Sequence, residues 1–573
     1  MNKKSEPTSY NLATAIQCAV VAVFPELKID VGEIQLEHPT EETHGDYSSN
    51  LALKLSKQLK QNPLIIAEKI AEVIKKNLPE YLEKVEVVKP GFLNFFLSSN
   101  FLIEKAEEII KEKENYGKSS ITEKKNIMVE FAHPNTHKQF HLGHLRNVTT
   151  GESIIRILET VGHKIFRTNY QGDVGMHVAK AIYGILKLKE VHEKIKKSDT
   201  REKVAFLGKA YILGNKEFED NDLAKKDIVA INKKIYQKDA SILEVWQETR
   251  QWSLDYFQLI YDRVYTTFDR LYFESEVADR GKELVLKSVG KVFEESDGAI
   301  IFPGEKFGLH NRVFVNSEGN PTYEGKDMGL GELQFKEYHP DLLIHNLGPE
   351  QLGYTSVMFE ALYQLFPETR GKEMHLPYGW VKLKQGKMSS RTGNVVLGES
   401  LLDDIKKKIE NKYPKRISET EPIAIGAAKY SLLKVGRNQE IAFDVDESIN
   451  LQGNSGPYLQ YTHARAVSVL KKQVSSSKYL LSSVKLEPEE LSLLRKLSKF
   501  PEVVLSAAQS YSPNLICNYL FDLAQKFNYF YDKLPILKAD ESSRVVRLKI
   551  VEATAVVLKN GLYLLGIQAP DRM

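Results

Sequence analysis

The sequence predicts a multidomain α/β protein, with a parallel-sheet domain between a small N-terminal α+β domain and an all-α C-terminal domain. Three observations support this prediction. A strand–helix–strand order begins at Asn126, short strands and amphipathic helices alternate before it, and strand patterns disappear after about Glu421. The length of 573 residues also exceeds what one hydrophobic core serves, so about three domains are expected.

The composition is typical of a globular protein in a reducing compartment. Hydrophobic residues make up 42% and charged residues 27%, and the net charge of +3 is too small to indicate a nucleic-acid partner, so any RNA surface must be a local patch. Cys18 and Cys517 are the two cysteines, which excludes a disulfide scaffold and a thiolate-rich zinc site. Neither a signal-cleavage pattern nor a run of about 20 apolar residues occurs, so we expect a cytoplasmic protein without a membrane partner.

Residues 1–115 carry the patterns of the small α+β domain. Ala13–Phe24 is predicted to form a buried helix, and apolar residues at three- and four-residue spacing predict helices over Leu51–Asn77. Alternating residues with β-branched or aromatic side chains predict strands over Ile29–Leu36 and Val85–Leu97.

Residues 116–420 are predicted to form a nucleotide-binding parallel sheet. Asn126–Ala132 and His163–Tyr170 are predicted strands on either side of a helix over Gly143–Thr160, which together make a βαβ unit. A buried-strand pattern returns at Asp341–Leu347.

Helical patterns fill the two remaining regions. Spacing rich in Lys and Glu, from about 186 to 272, predicts a helical insertion that splits the sheet domain. Residues 421–573 show long amphipathic helices with aromatic and basic faces, such as Ile516–Tyr531, and are predicted to form an all-α domain.

A strand-to-helix junction carries the first cluster of chemically active residues. Glu130–His144 holds four histidines, a lysine and an asparagine at the usual phosphate site of an open α/β sheet. His141 and His144 would share one helix face and donate hydrogen bonds to phosphates, and Gly143 would leave room for a base or ribose. The residues alone leave two alternatives open, a metal site formed by His137, His141 and His144 or an ordinary polar helix cap.

The second cluster is Lys387–Asn394, which contains small hydroxyl residues, two cations and a glycine. A cationic loop of this kind can close over a triphosphate and stabilise the charge that builds up on the phosphorus. A solvated turn is the alternative for this segment taken alone.

Together the two clusters resemble the signature motifs of class I aminoacyl-tRNA synthetases, as His141-Leu-Gly-His144 and Lys387-Met-Ser-Ser-Arg391. Within that class Glu130–Arg146 resembles the arginyl enzymes, and the resemblance spans almost the whole chain. Further matching segments are His44-Gly-Asp-Tyr47 and Pro90-Gly-Phe-Leu-Asn94, which resemble the N-terminal domain of that family, Gly453–Tyr461, which resembles the start of its helical anticodon-binding domain, and the ending Pro570-Asp-Arg-Met573.

This resemblance implies a Rossmann-like parallel-sheet catalytic domain and a ligase that activates L-arginine with ATP. The expected products are arginyl-adenylate and pyrophosphate, followed by transfer of arginine to the 3′-terminal ribose of tRNA(Arg). The expected partners are therefore arginine, tRNA(Arg) and ATP with Mg²⁺. A monomer is expected, without structural zinc or another protein-bound metal, and activation of arginine is expected to need bound tRNA.

The resemblance also assigns residues to the ATP site. The expected catalytic groups are Lys138, His141, His144, Lys387 and Arg391. The expected ATP-binding residues are His141, Gly143, His144, Lys387, Met388, Ser389 and Ser390. Ser390 stands where the wider class has a lysine, and the family pattern implies that Lys138 supplies this charge from the other side.

Selection of arginine has a physical basis as well. A guanidinium needs a carboxylate in fork geometry and a flat aromatic face, which Tyr323 and Asp327 would provide on one helix turn. Such a pair is also common on any helix surface. The resemblance adds Gln351 as a third contact and assigns Glu130 and Asn135 to the backbone end of the amino acid.

Contacts with tRNA are expected in both outer domains. The expected residues are Tyr47, Asn94, Tyr458, Tyr461 and Arg465, and His463 joins the last three in combining stacking faces with cations. For Phe527, Phe530 and Tyr531, core packing and base stacking are equally open. His133 and His137 depart from the family pattern and are expected to pack at the surface.

Three rival functions remain to be distinguished. The chain could be a class I synthetase for another amino acid, a catalytically silent RNA-binding relative, or a nucleotidyltransferase that shares the first motif. The intact Lys138, His141, His144 and Lys387 argue against the silent relative. The helical C-terminal domain argues against the nucleotidyltransferase.

Overall fold

The N-terminal domain packs helices on a three-stranded antiparallel sheet. The structure, a computed structural model, describes residues 8–119, 123–384, 396–414, 419–472 and 485–573. The elements of the first domain are α1 Thr8–Val23, β1 Tyr47–Ser49, α2 Leu51–Leu59, α3 Pro63–Lys76, β2 Leu82–Val88, β3 Phe92–Leu97 and α4 Ser99–Glu112. The strand order is β1-β3-β2. Ile66, Ile70 and Ile74, spaced four residues apart, are buried and form the core face of α3.

The strand predicted over Ile29–Leu36 is wrong. A short 3₁₀ turn occupies Val31–Glu33, and the Asp30 carboxylate caps it by accepting the backbone N–H of Gly32 at 3.1 Å. Local Asp–Gly turn chemistry therefore outweighs the β-branched pattern here.

The central domain is built on a five-stranded parallel sheet. Its first elements are β4 Asn126–Glu130, α5 Leu142–Thr160, β5 Lys164–Gln171, α6 Met176–Lys187, α7 Lys189–Ile195, α8 Thr200–Asp220, α9 Asp222–Tyr236, α10 Ala240–Arg263 and β6 Arg270–Phe273. The elements that follow are α11 Glu274–Lys287, β7 Glu294–Ser296, β8 Ala299–Phe302, β9 Arg312–Val315, α12 Tyr323–Tyr338, β10 Leu342–His345, α13 Leu352–Leu365, β11 Glu373–His375, β12 Val381–Leu383 and α14 Gly398–Lys412. The strand order is β11-β10-β4-β5-β6. The strand β4 is therefore central, with β10 and β11 on one side and β5 and β6 on the other.

The helical insertion is shorter than the predicted range of 186–272. Its helices end at Arg263, and β6 is an edge strand that pairs in parallel with β5. Four residues are too few to show an alternation, which explains why this strand was missed. The small antiparallel sheet β7-β8-β9 was not predicted either.

The C-terminal region is helical apart from one short strand. Its elements are α15 Thr420–Leu433, β13 Ile441–Phe443, α16 Val445–Ser448, α17 Gly456–Lys471, α18 Pro488–Ser498, α19 Phe500–Gln509, α20 Pro513–Lys533 and α21 Glu541–Leu564. The strand β13 corrects the all-α prediction for 421–573, since it pairs in parallel with β12 of the central domain. Within the described ranges, no helix is both long and apolar enough for a membrane span.

Polar contacts join α5 to the C-terminal helices. The Ser153 hydroxyl donates to the carbonyl of Leu564 at 2.8 Å, and the Arg156 guanidinium donates to the carbonyl of Tyr563 at 3.1 Å. The Glu152 carboxylate, one residue before Ser153, accepts from Arg156 at 2.6 Å and Arg167 at 2.8 Å. The helix that begins at the first motif therefore also carries the junction with the C-terminal domain.

Two ion pairs on α21 give a test of how that helix is held. The Arg547 guanidinium lies 2.7 Å from the buried Glu490 carboxylate, whereas Lys549 pairs with Glu107 at the surface. Arg547→Ala should destabilise the fold by about 3 kcal/mol or more, because it leaves a buried carboxylate without its cation. Lys549→Ala, the matched control, should cost less than about 1 kcal/mol. Thermal unfolding measures both, and equal shifts in Tm would contradict this ranking.

Candidate active site

The candidate site lies at the carboxyl edge of the parallel sheet, where β4 passes into α5. This connection contains three positive φ values at residues other than glycine. They are 80° at Ala132, 51° at His133 and 61° at His137. Left-handed conformations of this kind cost energy in non-glycine residues and are concentrated at functional sites. Tertiary contacts hold the loop in place, since the His137 backbone N–H donates to the Ser253 hydroxyl at 3.0 Å.

His141 and His144 form a stacked pair that caps α5. Their ring centroids are 3.7 Å apart. The Nδ1 atom of each ring accepts the backbone N–H of the other residue, at 3.2 Å and 3.4 Å. Since Nδ1 is an acceptor in both rings, the proton of each neutral imidazole is on Nε2, which can donate to a ligand. A Cβ on Gly143 would lie 3.0 Å from the His141 ring, so glycine leaves room for this stack.

Both imidazoles are neutral. Burial, together with the nearby Lys138 charge, lowers the pKa of His141 to about 4. Burial and the neighbouring His141 lower the pKa of His144 well below its usual value. The pair therefore presents N–H donors, rather than imidazolium charge, at the positive end of the α5 dipole.

The second predicted cluster lies in residues 385–395, outside the described residues, but the chain on both sides of it is tied to α5. The carbonyl of Val396 accepts the backbone N–H of Leu142 at 3.0 Å, and the N–H of Gly398 donates to the carbonyl of Phe140 at 2.9 Å. Before the segment, the Arg146 guanidinium donates to the carbonyl of Trp380, one residue before β12, at 2.6 Å. The chain that follows the segment therefore starts beside the histidine pair, and the chain that precedes it is held by Arg146 in the next turn of α5.

Lys138 lies half-buried in the loop before α5. Burial and the nearby Lys180 lower its pKa, and Glu274 acts in the opposite direction. Its ammonium is 5.5 Å from the centre of the Tyr211 ring, which belongs to the helical insertion. The insertion therefore forms one wall of the site.

A buried acid lies at the start of α12. Asp327 is 9% exposed, and its carboxylate accepts a hydrogen bond from the Tyr354 hydroxyl of α13. Tyr323, one turn earlier on the same helix, is exposed, and the Lys326 ammonium lies 4.5 Å from the centre of its ring. The structure thus places Tyr323 and Asp327 on one turn, as predicted, and adds Tyr354 as a partner of the acid.

The charge around Asp327 is strongly acidic. Burial raises the pKa of Asp327 to about 8, against the hydrogen bond from Tyr354, and the nearby Glu130 and Glu274 raise it further. Glu274 is itself buried and pairs with Lys326 at 2.6 Å. A buried cluster of three carboxylates, those of Asp327, Glu130 and Glu274, is well suited to a cationic ligand.

Three residues around Asp327 were not predicted from the sequence, namely Tyr354, Glu274 and Tyr170. Glu274 directly follows β6. A prediction of β6 would therefore have placed Glu274 at the carboxyl edge of the sheet with the other site residues. The Tyr170 hydroxyl is buried and has no hydrogen-bond partner among the described residues. No sequence signal distinguishes Tyr354 from any other tyrosine on a helix.

The other residues assigned to the amino acid lie along the same edge. Glu130 is buried, accepts from Gln334 at 2.5 Å and lies 3.2 Å from Nδ1 of His345. The side-chain amide oxygen of Asn135, Oδ1, lies against Gly172. A Cβ added to Gly172 would be only 2.2 Å from this oxygen, so the close approach of the two residues favours glycine. Gln351 is half-buried at the end of a 3₁₀ turn that precedes α13.

His137 is not at the surface, contrary to expectation, and His133 is only partly exposed. His137 is 1% exposed, and its two ring nitrogens contact the hydroxyls of Thr136 and Thr249 at 3.0 Å and 2.8 Å. Nε2 of His133 is buried without a hydrogen-bond partner in the described part of the chain. In that same part, no group of three or more His, Cys, Asp or Glu side chains could hold a metal ion, so His137 does not join the stacked pair as a ligand.

The residues assigned to tRNA fall into two groups. Tyr47 and Asn94 are buried, and their side chains bond to Glu502 at 2.9 Å and to the Ser48 hydroxyl at 2.7 Å. They are therefore closed to direct contact with RNA in this arrangement. Tyr47 instead joins the N-terminal domain to α19.

The second group forms an aromatic and basic surface in the C-terminal domain. The Arg465 guanidinium lies 4.9 Å from the ring centres of Tyr461 and Tyr531 and donates to Asn528 at 2.6 Å. Asn528 in turn donates to the Tyr458 hydroxyl at 3.0 Å. For Phe527, Phe530 and Tyr531 the sequence left core packing and base stacking equally open. Phe527 and Phe530 are fully buried in the core, whereas Tyr531 is exposed. His463 is buried as well.

Comparisons with known proteins cover all three parts of the chain. Residues 10–97 match the arginyl tRNA synthetase N terminal domain, residues 105–445 the class I (R) tRNA synthetase catalytic domain, and residues 459–573 the DALR anticodon binding domain. The arginine–tRNA ligase of Treponema denticola is 34% identical over 94% of this chain and 95% of its own length, and that of Borreliella afzelii is 32% identical over 96% of each. The solved Thermus thermophilus arginyl-tRNA synthetase is 25% identical, with a TM-score of 0.78 over 99% of this chain and all of its own.

A parallel sheet with a histidine pair at the start of α5, in a chain that matches this catalytic domain, defines a class I aminoacyl-tRNA synthetase. The matches to the N-terminal and anticodon-binding domains, and relatives above 30% identity over nearly the full length, are more specific. The chain belongs to the arginyl-tRNA synthetase family.

Proposed function

We propose that the chain is an arginine–tRNA ligase that forms arginyl-adenylate and pyrophosphate from L-arginine and ATP, then transfers arginine to the 3′-terminal ribose of tRNA(Arg). One observation carries the proposal. A neutral histidine pair at a helix N-terminus, suited to a nucleotide, shares a sheet edge with a buried acid suited to a guanidinium. Membership of the family supports it.

ATP binds, in this proposal, as its Mg²⁺ complex along the start of α5. His141 and His144 donate from Nε2 to phosphate oxygens, and Gly143 lets the nucleotide approach the backbone. Lys138 adds a cation from the loop before the helix. Met388, Ser389 and Ser390 contact the nucleotide, and Lys387 and Arg391 stabilise the phosphates; the anchoring of residues 380 and 396–398 to α5 supports this.

Arginine lies along the carboxyl edge with its two ends held separately. Asp327 binds the guanidinium, Tyr323 supplies an aromatic face and Gln351 a further polar contact. Glu130 and Asn135 hold the α-amino end. The arginine carboxylate then attacks the α-phosphate in line and expels pyrophosphate, after which the tRNA ribose hydroxyl attacks the acyl carbon and AMP leaves. Positioning and charge stabilisation are sufficient, and no protein nucleophile takes part.

The tRNA contacts are proposed for the surface formed by Tyr458, Tyr461 and Arg465, where partly exposed rings and a guanidinium can stack on unpaired bases. Tyr47 and Asn94 contribute indirectly, by fixing the N-terminal domain. We propose that the enzyme acts as a monomer. Two free cysteines, Cys18 and Cys517, fit a cytoplasmic location.

Aminoacylation of total tRNA with each labelled amino acid in turn tests the function. Arginine alone should be esterified, and ATP–pyrophosphate exchange should be weak until tRNA is added. Charging with a different amino acid would overturn the assignment. Exchange that is robust without tRNA would contradict only the tRNA requirement.

Removing His144 should test the nucleotide role. His144→Ala is expected to lower kcat roughly a hundredfold or more, because one donor to the transition state typically contributes about 2.7–4 kcal/mol. Steady-state aminoacylation measures the rate, and an unchanged melting temperature shows that the fold persists. His310→Ala, at an exposed histidine away from α5, is the control and should leave kcat unchanged. An equal kcat in both variants would remove His144 from the mechanism.

The raised pKa of Asp327 predicts a pH dependence for arginine binding. The guanidinium binds the ionised carboxylate, so below a pKa of about 8 a proton must leave when arginine binds. The affinity should therefore fall as the pH is lowered from 8 to 6, by at most about tenfold per pH unit. Calorimetry in buffers of different ionisation enthalpy should show proton release that Asp327→Asn abolishes together with most of the affinity. Proton release that persists in Asp327→Asn would assign the effect to another group.

A further inference from the structure

Three ionisable side chains, those of Glu130, His345 and Glu373, lie side by side on three neighbouring strands. His345 ends β10 and is in register with Glu130, which ends β4. Glu373 begins β11 and is in register with Leu343, two residues before His345. Because residues two apart on a strand face the same side, the three side chains share one face of the sheet.

His345 bridges the two carboxylates in the interior. Its Nδ1 atom is 3.2 Å from Glu130 Oε1 and its Nε2 atom 3.4 Å from Glu373 Oε1, and none of the three side chains is more than 4% exposed. Burial alone would lower the pKa of His345, but the two carboxylates outweigh burial and raise it to about 10. The group is therefore an imidazolium at neutral pH.

The imidazolium also controls the charge of Glu130. Burial alone would raise the pKa of Glu130, but the hydrogen bond and charge of His345 hold it below its usual value. Gln334 of α12 donates to the second carboxylate oxygen at 2.5 Å. Each oxygen thus accepts from one protein donor and keeps a lone pair for a ligand. Glu130 lies close enough to Asp327 for its charge to raise the pKa of that acid.

We infer that His345 and Glu373 are positioning residues of the arginine site, which hold Glu130 ionised and oriented toward the α-ammonium group of the bound amino acid. The inference rests on the proposed role of Glu130 and deepens it. Glu130 and His345 alone would be a neutral pair. Burial raises the pKa of Glu373, against the hydrogen bond and charge of His345, and when Glu373 is ionised the cluster carries one net negative charge opposite a substrate ammonium.

His345→Gln and Glu373→Gln in the full-length enzyme test this role. The KM for arginine in aminoacylation should rise about 10- to 100-fold, as expected when a hydrogen bond to a charged group is lost, while the KM for ATP is unchanged. The second measurement is the inhibition constant of the desamino analogue of arginine, which lacks the α-amino group. Its binding should be the same in the wild type and the variants, because it has no group for Glu130 to hold.

Glu360→Gln is the matched control, since Glu360 pairs with Arg370 on the outer side of α13 at 3.0 Å. It should change neither constant. Equal weakening of arginine and of the desamino analogue, or no change in either, would overturn the inference. If His345→Gln does not fold, Glu373→Gln decides alone, because it keeps the imidazole. Failure of the wild type to charge tRNA with arginine would instead overturn the proposed function.

Discussion

The mutual capping of His141 and His144 is the interaction on which the site depends. Each ring closes the first turn of α5 by accepting the other residue's backbone N–H, so both Nε2–H groups are left to point outward. The rings are fixed without help from a charge, and burial keeps both neutral. Residues 396–398 then pair with 140–142, so the chain that leaves the second motif starts beside these rings.

A second constraint is the concentration of buried acid at the same sheet edge. Asp327, Glu274 and Glu130 lie close enough for each to affect the ionisation of another, and internal cations offset only part of the charge. Lys326 neutralises Glu274, and His345 stabilises Glu130. Asp327 is left with a phenol hydroxyl as its partner among the described contacts. Buried carboxylates whose charge is only partly offset are stabilised by a cation that binds among them, which favours a positively charged ligand.

Periodicity and motifs in the sequence predicted the parts of this architecture that are local. The βαβ unit around Asn126, the helix from residue 142 and the pairing of Tyr323 with Asp327 all follow from spacing within a few residues. Contacts made across the sheet were not predictable in this way. His345 and Glu373 lie at the ends of strands of four and three residues, and what they do depends on the register of β4, β10 and β11. The expected surface position of His137 failed for the same reason, since its hydroxyl partners include Thr249 of α10.

The course of α5 explains how one helix can link distant parts of the enzyme. Its first turn holds the histidine pair, Arg146 in the next turn is bonded to the carbonyls of Trp380, Arg437 and Gln439, and Ser153 further along is bonded to the end of α21. A buried guanidinium that donates only to carbonyls is sensitive to small shifts of those strands, because a lost bond leaves a charged donor unsatisfied. A displacement of the C-terminal helices that moves α5 along its axis would therefore also move the Nε2–H donors of the histidine pair or break this set of bonds. The C-terminal helices and the carboxyl edge of the sheet are thus joined through one continuous helix.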